Sequence, residues 1–398
     1  MNFDLTPDQA ALRERARRFA SEELAPVAEE YDQREEFPHE QFCRAAQLGF
    51  FGLSVPREYG GLGADTVSYA LVIEELSRAM PAFGVPVSVH NSLVCYPIAK
   101  LGTPEQRQRY LPRLATGELL GGFSLTEPES GSDASAMQTL ARKVDGGWII
   151  DGHKTFVSMG ATAGIFLVMA VTDPDAKRSR SISAFLIERG VPGFSSGQRV
   201  SKMGMRATDT TELLFREVYV PDANLLGNRG DGFKVALSSL DSGRIGIGAQ
   251  ALGIAQAALD TSAAYALSRK QFGEPIIKFQ AVQFKLSDMA TEIEAARLLL
   301  MEAAALKDAG QPMTTQAAMA KLMASQAAVR AADSAVQIHG GYGYLKGNTA
   351  ERLYRDAKVT EIYEGTSEIQ RIVIAESLIA EPATYPLPAF DVSAPVSG

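Results

Sequence analysis

The chain has 398 residues, 46% of them hydrophobic and 22% charged, with a formal net charge of -8. That length exceeds one small core and suits two or three domains. The acidic balance, without any Lys/Arg block, argues against nucleic acid or an anionic membrane surface as partner, and no apolar run reaches the ~18 residues a membrane span needs.

The N-terminus enters a helical pattern at Thr6-Pro7 with neither a signal core nor a transit segment ahead of it. Leu12, Ala16, Phe19, Ala20 and Leu24 keep a 3.6 period, and Phe42, Ala45, Leu48 and Phe51 do so again. Tyr69, Val72, Ile73 and Leu76 make another amphipathic face, and Thr103-Pro104 starts a further helix. Residues 1–120 therefore read as an all-helical domain. From Gly121 the texture changes to short β-rich runs, Trp148 to Ile150, Ile165 to Val171, Ile182 to Ile187 and Leu213 to Val220, punctuated by Gly and Pro. Residues 121–226 read as a small antiparallel sheet or barrel. Long proline-free segments follow, Phe233 to Arg269, Phe279 to Ala309 and Thr314 to His339, with a last helix from Thr366 to Ala380. Their lengths suit a four-helix bundle over 227–380. The stretch 381–398, with four prolines, is expected to lack fixed structure. The fold class is thus α+β, mainly α, in the order helices, sheet, bundle.

Cys43 and Cys95 stand far apart with no metal-ligand spacing, so neither a disulfide framework nor a metal site is expected, and a reducing, cytoplasmic compartment fits. Phe123 to Asp133 (FSLTEPESGSD) takes a strand into a Ser/Gly loop, exposing hydroxyls and backbone N–H groups that a flavin ring or a phosphate could use; taken alone, such a segment is more often just a loop. Phe156 and Ser158 could share a strand face against a flat ligand, or Phe156 could be core. Asp241 and Arg244 sit one helical turn apart, as an ion pair or as ligand-facing charges, while the mid-helix Gly243 and Gly246 suggest that something approaches that backbone closely. Gln337 to Tyr344 ends a helix in a Gly-rich loop able to meet a pyrophosphate, but it is not a dinucleotide fingerprint after a strand. In Thr360 to Arg371, Glu364 occupies a turn before a helix that Thr366 can cap; from pattern alone such a glutamate is more often a cap or surface residue, though partial desolvation there would make it a stronger base.

The order and spacing of these pieces resemble the acyl-CoA dehydrogenase family, most closely its short-chain, butyryl-CoA branch. The resemblance runs from Leu5 to about Ala380 and is most specific at Val55 to Gly63 (VPREYGGLG), at Thr126-Glu127-Pro128 with Gly131-Ser132-Asp133, at Arg269 to Gly273, at Gln337 to Tyr344, and at Ile362-Tyr363-Glu364-Gly365-Thr366. It implies FAD as cofactor, with Phe123, Leu125, Thr126, Ser132, Phe156, Val157, Ser158, Thr366 and Glu368 around the isoalloxazine and ribityl portions. Arg269, Gln280, Gln337, Gly340 and Gly341 would meet the adenine and pyrophosphate of a neighbouring subunit's FAD, which implies a homotetramer. Asp241 and Arg244 would hold the CoA arm, and Ser132 and Gly365 would line the substrate side. Glu364 would remove the α-proton while the β-hydride passes to flavin N5, giving a trans-2-enoyl-CoA, and the electrons would leave to an electron-transferring flavoprotein. Members that carry the base on the bundle helix have it where this chain has Gly243, which leaves Glu364. Met159, Glu129-Ser130 and the tail depart from the family pattern. The alternatives are an oxygen-using flavoenzyme of the same fold and a non-catalytic helical scaffold.

Overall fold

The computed structural model describes residues 4–380, so the Pro-rich stretch 381–398 lies outside the described residues. The first part is helical: α1 (Pro7–Phe19), α2 (Ala28–Arg34), α3 (His39–Gln47), α4 (Thr66–Ala79), α5 (Pro81–Val89), α6 (Tyr96–Leu101) and α7 (Pro104–Ala115). Local sequence dictates their starts. Thr6 with Gln9 and Thr103 with Gln106 form reciprocal capping boxes, each followed by Pro at the first helical position, and Asp65 accepts from the Ser68 N–H to cap α4. The widened turn His90–Cys95 joins α5 to α6.

Eight strands form one sheet: β1 (Gly121–Ser124), β2 (Leu140–Val144), β3 (Gly147–Ser158), β4 (Ile165–Val171), β5 (Ile182–Glu188), β6 (Phe194–Ser196), β7 (Thr210–Pro221) and β8 (Leu225–Leu226). A short helix, α8 (Arg178–Ser181), precedes β5. The order is β6-β7-β3-β2-β4-β5-β8, with β1 beside β4. The sheet is mixed rather than wholly antiparallel: β1 runs parallel to β4, and β2 touches β4 in parallel at Leu140 and Val171. The reason is connectivity. The β2–β3 hairpin intervenes between β1 and β4, so β1 is not tied to its neighbour by a tight turn. β4 and β5 are buried along all but their last residue, and they accordingly read as unbroken apolar runs instead of alternating ones.

Four long helices follow: α9 (Gly232–Ser268), α10 (Gln280–Asp308), α11 (Thr314–His339) and, at the end, α13 (Ser367–Ala380). A two-stranded hairpin, β9 (Lys270–Gln271) with β10 (Glu274–Pro275), separates α9 from α10. α12 (Thr349–Lys358) was not expected from the sequence; it is only ten residues long but buries Ala350, Leu353 and Ala357 at i, i+3 and i+7. The bundle is not closed by the C-terminal helices alone, because α4 packs along α9. Among the described residues no helix is long and apolar enough to cross a membrane.

The small residues of α9 set this packing. A Cβ built on Gly253 would stand 2.5 Å from Glu74 O and 2.8 Å from Arg78 N, both main-chain atoms of α4, whereas one on Gly248 would meet the flexible Leu300 Cδ1 at 3.0 Å. Replacing a mid-helix glycine by alanine gains about 1 kcal/mol of helix propensity. Overpacking against rigid backbone costs about 1–3 kcal/mol. Gly253→Ala is therefore expected to lower the thermal midpoint and Gly248→Ala to leave it unchanged or raise it; scanning calorimetry of the two variants beside the parent checks the order.

Candidate active site

α12 ends in a single tight turn, Val359–Glu361, and the chain then reverses into α13 through Ile362 to Thr366. Two consecutive residues there take left-handed backbone, Glu364 at φ 51° and Gly365 at φ 95°. Glycine adopts that region freely; for a glutamate it is a strain of about 1–3 kcal/mol that persists only where the surroundings impose it. They do so from three helices. Lys321 Nζ on α11 donates to Gly365 O at 2.8 Å, Gln370 Nε2 on α13 donates to the same carbonyl at 2.8 Å and to Glu364 O at 3.3 Å, and the Tyr363 hydroxyl donates to Gln250 Oε1 on α9. Thr366 Oγ1 accepts from the Ile369 N–H at 3.3 Å, the cap expected from the sequence. The Glu364 N–H donates to no acceptor among the described residues.

The Glu364 residue as a whole is half-buried, but both carboxylate oxygens are closed off from solvent without a hydrogen-bond partner. Space for them exists because position 243 is glycine: a Cβ on Gly243 would overlap Glu364 Oε2. Burial pushes the Glu364 carboxyl up to about 7, with Lys321 and then Arg244 pulling in the opposite direction. Asp241 and Arg244 do form the i, i+3 ion pair, at 2.6 Å, and Asp241 Oδ2 accepts from the Thr314 hydroxyl at 2.7 Å. Arg244 is buried, and its Nε has no partner. Two cations and an unpaired carboxylate thus converge where α9, α11 and the turn meet.

On the sheet side, β1 delivers Phe123, followed by Leu125 and Thr126, and Thr155 N donates to Thr126 O at 2.9 Å, bringing that segment beside β3. The expected common face of Phe156 and Ser158 is broken by an irregularity: the β3–β7 register shifts between Lys154 and Val157, and Phe156 itself is left-handed at φ 54°. The result turns the Phe156 ring outward, 67% exposed, while Val157 is buried. Beneath lies an ion pair the sequence reading missed. Lys154, fully buried, donates to Leu125 O at 2.9 Å and to Glu127 Oε1 at 2.8 Å. Burial alone would push the Glu127 carboxyl up, but Lys154 and the Thr139 and Gln138 N–H groups outweigh it and hold it below the usual range. Ser132 is exposed on the loop that follows.

A cleft of about 460 Å³ at the end of α11 is lined by Arg269, Gly340 and Gly341 together with Tyr342, His339 and Tyr265. No atom lies within 4 Å of a Cβ built on Gly340 or Gly341, so their backbone faces open space. The Arg269 guanidinium lies over the Tyr342 ring at 5.6 Å. Gln337, three residues before Gly340, and Gln280, the first residue of α10, are exposed but do not line the cleft. Glu368 is exposed in the first turn of α13.

Three family models match in sequence: acyl-CoA dehydrogenase N-terminal domain over 6–118, middle domain over 122–218 and C-terminal domain over 230–379. The chain belongs to the acyl-CoA dehydrogenase family. It is 50% identical over 375 residues to an acyl-CoA dehydrogenase of Bacillus subtilis, covering 94% of this chain and 99% of that one. It is 47% identical over 375 residues to the short-chain specific acyl-CoA dehydrogenase of Clostridium acetobutylicum, again covering 94% and 99%. Among solved structures, butyryl-CoA dehydrogenase from Megasphaera elsdenii superposes with a TM-score of 0.93 at 43% identity, covering 95% of this chain and all of that one.

The donor set fits the FAD that an acyl-CoA dehydrogenase uses. An outward aromatic ring at Phe156 suits a flat heterocycle, the buried hydroxyl of Ser124 at the end of β1 lacks a partner, and an arginine facing open glycine backbone suits a pyrophosphate.

Lys321 was not singled out from the sequence, where a lysine among alanines on a long helix looks like a solvated residue; only its full burial reveals it. Lys321→Met removes both the bond to Gly365 O and the positive charge that lowers the Glu364 pKa. With Glu364 as the base, working ionised, the rate would rise with pH through its pKa, about 7. The variant is expected to move that rising limb to higher pH and to lower the plateau, with Lys321→Arg recovering part of both; the pH profile of anaerobic flavin reduction is the measurement.

Proposed function

We propose that the protein oxidises the Cα–Cβ bond of a short-chain acyl-CoA thioester to the trans-2-enoyl-CoA, with Glu364 as the base that takes the α-proton. The observation that carries this reading is the Glu364 carboxylate itself, buried, unpartnered and lodged against the Gly243 backbone with its pKa raised to about 7. A thioester α-proton is too weakly acidic for a solvated carboxylate, so water exclusion matters twice: it strengthens the base and magnifies every stabilising dipole. The Glu364 N–H, which donates to no acceptor among the described residues, would be a donor for the enolate oxygen. Arg244 and Lys321 supply nearby positive charge, with Asp241 fixing the guanidinium. FAD, when bound, accepts the hydride from the β-carbon. Phe123, Leu125, Thr126, Ser132 and Phe156 to Ser158 would meet its ring end together with Thr366 and Glu368; Gly365 and Ser132 would border the substrate.

The Arg269, Gly340 and Gly341 cleft would take the pyrophosphate end, with the exposed Gln280 and Gln337, outside its lining, as further contacts of the same cofactor, and its outward position supports the assignment of that end to a second subunit. The neighbouring Phe272 is 95% exposed, which favours burial between copies in a homotetramer. An electron-transferring flavoprotein is the acceptor that this reading requires, and a cytoplasmic location suits it.

Glu364→Gln keeps shape and removes the base. The variant is expected to retain FAD and acyl-CoA binding while anaerobic bleaching of the flavin by butyryl-CoA slows by about 10²–10⁴-fold, the usual worth of a general base. Bleaching at the parent rate would exclude Glu364 as the base. Stoichiometric peroxide on aerobic turnover would identify an oxidase instead.

A further inference from the structure

Gly243 and Gly246 are three residues apart on α9 and so open one helix face at successive levels. The first gap is filled by the Glu364 carboxylate, with Leu93 Cδ2 at 3.1 Å from the Cβ position. The second is filled by two hydroxyls: a Cβ on Gly246 would overlap both the Tyr69 phenol and Ser88 Oγ. Tyr69 comes from α4 and Ser88 from α5, and both are buried. They share a hydrogen bond of 2.8 Å, and the Ser88 carbonyl accepts from Ser92 Oγ at 2.7 Å. The phenol is therefore a fixed obstacle, and it stands about 4.5 Å of helix rise beyond the gap that holds the carboxylate.

We infer that Tyr69, locked by Ser88, is the floor of the acyl pocket and restricts the substrate to short, butyryl-sized acyl groups. This rests on the reading of Glu364 as the base at the substrate's α-carbon. An acyl chain with its α-carbon at Glu364 that runs along the glycine face meets the phenol oxygen after a few methylene groups. A longer chain would have to break the Tyr69–Ser88 bond and leave buried hydroxyls unpaired beside hydrocarbon, which is the costly side of the hydrogen-bond asymmetry. Glycine at 246 is what lets the phenol come so close to α9. A larger residue there would push the ring away and change the floor.

The test uses the FAD-loaded enzyme, its Tyr69→Ala and Tyr69→Phe variants, and butyryl-, hexanoyl- and octanoyl-CoA. Two quantities are read: kcat/KM for anaerobic flavin reduction, and Kd for the matching 2-enoyl-CoA by calorimetry. The octanoyl-to-butyryl ratio is expected to rise tenfold or more in both quantities for Tyr69→Ala, and the hexanoyl-to-butyryl ratio to rise a few-fold for Tyr69→Phe. Ratios unchanged from the parent in variants that still reduce flavin with butyryl-CoA overturn the role of Tyr69 and leave the dehydrogenase reading standing. Should Tyr69→Ala fail to hold flavin, the Tyr69→Phe ratios decide. If the parent itself is reduced by no acyl-CoA and binds no enoyl-CoA, the dehydrogenase reading falls and the inference falls with it.

Discussion

The arrangement depends on one steric fact, that the carboxylate of Glu364 occupies the volume a side chain at position 243 would fill. A mid-helix glycine costs about 1 kcal/mol relative to alanine. α9 accepts that cost at Gly243, Gly246, Gly248 and Gly253, and at each of these a different neighbour comes within contact of the helix: a carboxylate, a pair of hydroxyls, a leucine tip and the backbone of α4. The long central helix is thereby not only a packing element. Its glycines grade the distance at which the rest of the molecule may approach, and the proposed base takes the closest of these positions.

A buried, unpaired carboxylate on left-handed backbone would relax if its turn were free to move. It is restrained by the main chain rather than by the carboxylate, since Lys321 and Gln370 grip the Gly365 carbonyl while the oxygens of Glu364 keep no partner. The sheet side repeats the device. Lys154 is likewise fully buried and donates to a main-chain carbonyl, that of Leu125, beside the loop proposed to meet the flavin. Burial pulls each lysine down to about 8, and a nearby carboxylate opposes that pull, Glu127 for Lys154 and Glu364 for Lys321. Burying such charges is expensive unless they are paired and hydrogen-bonded, and a site loop that must not move is a place where that expense has a use.

Much of this was legible in the sequence because it was encoded locally. Caps at Thr6, Thr103 and Thr366, the β-rich runs of β4 and β5 and the span Thr314–His339 follow from residue type and periodicity within a single element. The glycines of α9 signalled a close approach without saying of what. The parts that were missed depend on partners far along the chain: the parallel placement of β1, the bulge that turns Phe156 outward, the Lys154–Glu127 pair 27 residues apart and the Lys321–Gly365 bond 44 residues apart. α12 escaped because ten residues with a three-residue apolar stripe, set between a Gly-rich loop and a turn, give little periodicity to read.

Acyl length preference belongs to the same class of long-range fact. Tyr69 looks, in sequence, like one more apolar position on the amphipathic face it shares with Val72, Ile73 and Leu76. Only the meeting of α4, α5 and α9 shows that its hydroxyl ends in a glycine gap one level from the proposed base. The desolvation that raises the Glu364 pKa and the hydroxyl pair that closes the space beyond it are both present in the protein alone, so neither has to be created by the substrate. On the proposed reading, a base readied in this way would act on whatever thioester reached it, and discrimination among thioesters would fall to the walls; a floor fixed by a buried hydrogen bond excludes longer chains more firmly than a wall of aliphatic side chains, which could repack at less cost.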